Sequence, residues 1–215
     1  MISSISPKEM PKNPASFSVF IIRRHITMSS RSAPLHHPKK IPAIGSKTLK
    51  LYAAAIAYQQ VREQKKVMVL DLGGFTLDYL RIRGGRPDFA VCDSMEYGII
   101  PLYNDIIRKV NSERDLLLDE TDIDAVLRGE NSVCPEQVAR IIHEKSQAFI
   151  DGLAGKLRER MIDLRVGPNV FVGGGALLLR RCIEDSDKIG NSSFITDIGA
   201  NVRGYTLLYS ASSGR

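Results

Sequence analysis

Asp71-Leu72-Gly73-Gly74-Phe75-Thr76-Leu77-Asp78 follows the apolar run Val67-Met68-Val69-Leu70 and leads into an alternating stretch that reaches Arg83. The apolar run has the length and composition of a buried strand ending at Asp71. Gly73-Gly74 read as a turn, and Thr76 to Arg83 as a second strand. Gly84-Gly85 signal another turn, and residues 87–95 a third strand. The expectation is a three-strand antiparallel meander. Glycines let a turn take positive φ and expose N–H groups with no side chain in the way. Such N–H groups can cradle a phosphate oxygen. Thr76 could add a hydroxyl, and Asp71 could hold magnesium through water, since that ion prefers oxygen ligands and keeps its hydration. The plainer reading is a hairpin turn, against which stand the carboxylate before the glycines and the Thr-x-Asp after them.

About 100 residues further on, Val170-Phe171-Val172 runs into Gly173-Gly174-Gly175-Ala176 and an apolar helix from Leu177. A strand entering a glycine-rich turn at a helix N-terminus suits a nucleotide or other anion, although close helix–strand packing also selects glycine. The motif is neither a Walker A sequence nor G-x-G-x-x-G.

Between and around the two motifs, helices are expected at 48–64, 101–111, 121–128, 135–162, 176–184 and 199–209. The third opens on Thr121 with Asp124 as an approximate capping box, the fourth on Pro135. Ser193 to Ile195 reads as an edge strand. Strands first and then alternating helices and strands place the chain in the α/β class.

The formal charge of +6 is unevenly spread. Residues 1–47 carry eight Lys or Arg and one acid, Glu9, whereas 48–215 carry 22 basic and 23 acidic residues. The basicity belongs to a Pro- and Ser-rich leading segment that reads as a flexible extension. A nucleic-acid-binding fold would carry such charge on the domain itself, so no direct sequence-specific nucleic-acid contact is expected. Cys92, Cys134 and Cys182 are scattered and form no C-x-x-C pair, which argues against a disulfide framework or a zinc site. Phe17 to Ile22, six residues followed by Arg23-Arg24, is too short to span a bilayer. A cytoplasmic protein fits these features. Asp78 and Asp197 read as turn or cap residues.

The two glycine motifs together resemble the phosphate-2 and adenosine motifs of the actin/Hsp70/sugar-kinase superfamily. DLGGFTLDYL, DSMEYGIIPLYNDI, FVGGGALLL and the closing FITDIGANVRGYTLLY are similar to plasmid-segregation actins of the ParM/StbA type, over residues 48–215. The resemblance implies the second lobe of an actin-like (ribonuclease H-like) ATPase with a small helical insert at about 112–160. It implies ATP or GTP with magnesium as cofactors. Asp71 would organise magnesium and the attacking water. Gly73, Gly74, Phe75 and Thr76 would wrap the β- and γ-phosphates, and Gly173, Gly174 and Gly175 would pass beside the adenosine. Intact relatives of this type assemble into filaments and contact a DNA-bound adaptor.

Two departures qualify the expected activity. Residues 1–47 contain no D-x-G phosphate-1 strand and are too short for a first lobe, which suggests a truncated form. The family's water-positioning glutamate has no counterpart in Lys47-Thr48-Leu49-Lys50-Leu51-Tyr52-Ala53. Phosphoryl transfer relies on positioning and charge stabilisation from both sides, so poor or no hydrolysis by this chain alone is expected. The alternatives are a non-catalytic interaction module with a vestigial nucleotide site, and a sugar-kinase or chaperone relative, which the short insert disfavours.

Overall fold

A strand buried on both faces needs apolar residues at every position, not at alternate ones. Val67 to Leu70 meets that demand, and in the computed structural model it lies in β1 (Lys66–Leu72), at the middle of a five-stranded sheet. The structure describes residues 55, 61, 64–130, 134–197 and 206, all within one compact unit, Gly45–Arg215. The sheet order is β3-β2-β1-β4-β5, with β2 at Leu77–Arg83, β3 at Arg86–Met95, β4 at Asn169–Val172 and β5 at Ser192–Phe194. The meander β1-β2-β3 is antiparallel, as expected. β4 adds parallel to β1, and β5 parallel to β4 at the edge. β1 continues through Asp71 to Leu72, beyond the expected end of the strand, because Asp71 and Leu72 pair with Asp78 and Leu77.

Successive side chains of a strand point to opposite faces. Met68, Leu70 and Leu72 join the larger core, with helix residues such as Ile106, Ile150, Leu153 and Leu157. Val67 and Val69 join the smaller core on the other face, with Leu80, Ile82, Val170, Val172, Ala55 and Val61. Ala55 and Val61 are helical and buried. The remainder of the expected helix 48–64, and most of that at 199–209, lies outside the described residues. So do residues 1–54 and their expected extension.

Five helices complete the described fold: α1 (Ile99–Arg114), α2 (Glu120–Arg128), α3 (Glu136–Glu159), α4 (Gly174–Leu178) and α5 (Arg180–Asp185). α2 is capped by Asp119 and Asp122, not by Thr121 and Asp124 as the sequence suggested. The Asp119 side chain accepts from the Thr121 and Asp122 N–H groups, and Asp122 reaches back to the Asp119 N–H. The Thr121 hydroxyl also donates to the Asp119 carboxyl, and that bond, with the two N–H donors, holds the carboxyl below its usual range. Asp124 is instead used for packing, accepting from the Tyr103 hydroxyl of α1 and from Arg128. The expected helix 176–184 is two short helices meeting at Leu179.

α3 stops three residues short of the expected 162. The Ile162 N–H bonds the Leu157 carbonyl and the Met161 N–H the Arg158 carbonyl, which is the Schellman arrangement that closes a helix. Its C-terminal half is clamped to the meander. Tyr97 stacks on Phe149 at 4.5 Å between ring centres and donates its hydroxyl to the Phe149 carbonyl at 2.8 Å. Arg160 donates to the Tyr79 hydroxyl and to Asp93.

Gly152 and Gly155 sit on the same helix but in different surroundings. A β-carbon at Gly152 would lie 2.7 Å from the Tyr97 hydroxyl, whereas one at Gly155 would meet nothing within 4 Å. Gly155→Ala is expected to raise stability by about 0.5–1 kcal/mol through helix propensity. Gly152→Ala is expected to lower it by about 1 kcal/mol or more as Tyr97 is pushed from its bond. Urea unfolding of the two variants should give midpoints shifted in opposite directions.

Candidate functional site

Parallel pairing of β1 with β4 fixes the geometry of the site. Asp71 lies opposite Val172, so both strands run out at the same end of the sheet, one into Gly73 and the other into Gly173. The two glycine motifs, far apart in sequence, are therefore neighbours. Their contact is close. A β-carbon on Gly173 would overlap the Asp71 Oδ1 atom and would lie 2.8 Å from the Leu72 carbonyl oxygen. Gly173 also has φ +93°, a left-handed conformation that favours glycine.

The three glycines after β4 differ in what requires them. Gly175 is buried, and a β-carbon there would lie 2.7 Å from Ile99 Cγ2 and 2.8 Å from the Leu72 carbonyl. Gly173 and Gly175 thus answer to packing. Gly174 is exposed, and a β-carbon there would meet nothing within 4 Å. Nothing in the packing requires a glycine at that position.

In the first turn, the Gly73 N–H donates to the Thr76 carbonyl at 2.9 Å. The carbonyls of Gly73 and Gly74 accept from the N–H groups of Ile99 and Ile100, at 3.1 and 2.9 Å. These two donors belong to the first turn of α1, whose N-terminal N–H groups have no partner within the helix. The N-cap residue Gly98 supplies no side chain for the purpose, so the turn's carbonyls cap α1. The N–H groups of Gly74, Phe75 and Thr76 take no part in these bonds. Phe75 stands at the apex, 69% exposed, and Thr76 is half-buried.

Gly98 is the residue that the sequence reading missed. It is buried, and a β-carbon there would overlap the Gly74 carbonyl and the Phe75 nitrogen. The available signal was a glycine directly before an apolar helix start, Tyr97-Gly98-Ile99.

A groove of about 400 Å³ runs between α3 and α5, lined by His143, Glu144, Gln147, Arg181, Cys182 and Asp185. Gln147 Nε2 bridges its walls, donating to the Cys182 carbonyl at 3.2 Å and to Asp151. Burial pushes the Cys182 thiol above its usual pKa, so it stays protonated. Among the described residues no group of three His, Cys, Asp or Glu side chains comes together as a metal cage. A hydrated magnesium ion needs less than that, one carboxylate and the phosphates of its ligand. A carboxylate at a strand end and the open backbone at Gly174 suit that pair.

A sequence model of the C-terminal part of archaeal actin homologues of the MreB-like kind matches residues 69–185, more than half of the chain. The chain belongs to that MreB-like family. Solved structures agree on the fold. The archaeal actin homologue Ta0583 is 21% identical at a TM-score of 0.55, over 75% of this chain and 54% of its own. The Alp12 filament structure is 15% identical at 0.56, over 76% and 53%. Bacillus thuringiensis ParM with ATP is 12% identical at 0.52, over 77% and 55%. The chain therefore spans about half the length of these relatives. A comparison with curated proteins finds no match.

The unequal demands on the glycines can be checked without any ligand. Gly173→Ala, which combines a strained φ with an overlap on Asp71, is expected to cost about 1–3 kcal/mol of stability. Gly174→Ala is expected to leave stability unchanged or slightly raised. Chemical denaturation of both variants measures the difference directly.

Proposed function

We propose that this chain is the nucleotide-binding half of an actin-like, filament-forming ATPase of the plasmid-segregation (ParM/StbA) type. The observation that carries the proposal is the abutment of the two glycine turns, with the Asp71 carboxylate against Gly173 and an open backbone at Gly174. Asp71 would hold hydrated magnesium. Gly73, Gly74, Phe75 and Thr76 would wrap the β- and γ-phosphates, with Gly74, Phe75 and Thr76 offering backbone N–H groups, Thr76 its hydroxyl, and Gly73 closing the turn through its own bond to the Thr76 carbonyl. Gly173, Gly174 and Gly175 would pass beside the adenosine or guanosine, with the base received by the α3–α5 groove. The bound Mg·nucleotide supplies the scissile phosphoanhydride, and what this half contributes is orientation and charge neutralisation.

Support for the wider role comes from the fold neighbours. Alp12 is known as a filament, and Bacillus thuringiensis ParM has been solved with ATP, ADP and AMPPNP. Self-association into filaments and contact with a DNA-bound adaptor follow by analogy with these relatives and form part of the proposal, as does a cytoplasmic location. Among the described residues no helix is long and apolar enough to cross a membrane. The division into a leading extension, 1–47, and a lobe, 48–215, with an insert at about 112–160, belongs to the same reading. Hydrolysis is expected to need groups beyond those of this half.

The competing reading is an interaction module whose nucleotide site is vestigial. Thermal unfolding with and without Mg·ATP, beside Asp71→Ala, separates the two. A ligand that binds only the folded state stabilises it by about 2.7 kcal/mol at a hundredfold excess over Kd. The expected result is a rise in Tm that Asp71→Ala removes. No rise at millimolar Mg·ATP or Mg·GTP would overturn the nucleotide-site proposal and leave the interaction module.

A further inference from the structure

Residues 97–100 meet three parts of the lobe at once. Ile99 and Ile100, the first residues of α1, give their N–H groups to the Gly73 and Gly74 carbonyls. Their side chains face the two glycine turns separately. A β-carbon on Gly175 would lie 2.7 Å from Ile99 Cγ2, and one on Gly74 would lie 3.2 Å from Ile100 Cδ1. Gly98 fills the space against the Gly74 carbonyl and the Phe75 nitrogen. The first turn of α1 is therefore wedged between the turn after β1 and the turn after β4.

That wedge is anchored one residue earlier, on a different element. The Tyr97 N–H donates to the Met95 carbonyl at 2.8 Å, which turns the chain sharply out of β3. The Tyr97 ring then reaches α3. It stacks on Phe149 with 4.5 Å between centres, and Lys156 Nζ lies 5.7 Å from its own centre. The hydroxyl donates to the Phe149 carbonyl at 2.8 Å, using the second lone pair that a helix carbonyl keeps free. Gly152 leaves room for it, since a β-carbon there would lie 2.7 Å from the hydroxyl oxygen. Burial pushes the hydroxyl above its usual pKa, so it remains a donor.

A phenylalanine would fill the same stack. What the hydroxyl adds is direction: it fixes where residue 97 stands along α3, and so where Gly98, Ile99 and Ile100 stand between the two turns. Binding sites tolerate displacements of only about 0.5 Å before they lose complementarity. A ligand that spans both turns needs their spacing held to that tolerance.

We propose that Tyr97 is a positioning residue of the nucleotide site, its bond to α3 setting the distance between the two glycine turns through the first turn of α1. This rests on the nucleotide site proposed above and deepens it. The phosphates at one turn and the nucleoside at the other are joined in one molecule, so binding of Mg·nucleotide reads the spacing directly.

The test is isothermal titration of the full chain with Mg·ATP and Mg·GTP, well below Tm. Tyr97→Phe keeps the ring and removes the bond. It is expected to lower nucleotide affinity about tenfold. Gly152→Ala attacks the same bond from the α3 side and is expected to lower affinity similarly. In the Tyr97→Phe background, Gly152→Ala is expected to cost no further affinity, because the hydroxyl it displaces is already gone. A side chain that only supports the fold would shift Tm and leave the affinity of the folded protein unchanged. Amide exchange followed by NMR without nucleotide gives a second reading. The Ile99 and Ile100 amides should exchange faster in both single variants, while those of β1 keep wild-type protection. Wild-type affinity in Tyr97→Phe would overturn the proposal, as would losses that add in the double variant or unchanged exchange at Ile99 and Ile100. A wild type that binds neither nucleotide overturns the nucleotide reading itself and this inference with it. Binding by wild type with no effect of Tyr97→Phe overturns this inference alone.

Discussion

Two close backbone approaches hold the site together, and both require a residue without a β-carbon. Gly98 lies against the Gly74 carbonyl, and Gly173 lies against the Asp71 carboxylate and the Leu72 carbonyl. The first joins α1 to the turn between β1 and β2. The second joins the end of β4 to the end of β1. Substituting either glycine would separate elements that the rest of the lobe assumes to be in contact, because packed interiors have no slack to absorb even one methyl group. The sheet register explains why both meet at one place. With Asp71 opposite both Asp78 and Val172, the first turn and the second glycine motif must emerge side by side.

The same arrangement divides the polar groups of the turn into structural and available sets. Helix α1 needs acceptors for its first N–H groups and finds them in the carbonyls of Gly73 and Gly74. Once those carbonyls face α1, the turn's remaining N–H groups are left for a different partner. On the function proposed above, helix capping and anion binding would be two sides of one turn. Gly98 takes part by its lack of a side chain, which is why it carries no chemistry of its own and yet controls the site.

How far the sequence revealed this depends on whether the signal was local. The meander was legible because the run Val67 to Leu70 is uniformly apolar and the turns are marked by paired glycines. α3 was legible from Pro135 at its first turn. The capping box was misplaced by two residues because Asp119, Thr121, Asp122 and Asp124 all have side chains suited to capping. Only the backbone direction of the preceding leucines decides among them. The split at Leu179 left no trace in an apolar run that would suit one helix equally well. Gly98 was missed because its partner, Gly74, is distant in sequence. The proposed roles of Asp71 and the glycines came from resemblance. What the structure adds is a physical reason for Gly173 and Gly175, and its absence at Gly174.

The exposed ends of α3 show the limit of reading residues by type alone. Of Leu116-Leu117-Leu118, only Leu118 is packed against the core. Met161 looks like an ordinary helix residue until its φ places it beyond the helix end. Neither feature stabilises the fold that displays it. Leaving a leucine or methionine in water forgoes about 1.5–3 kcal/mol of burial each, and the strain at Met161 adds to that. These side chains stay outside the core of a lobe in which every residue from Val67 to Leu70 is buried.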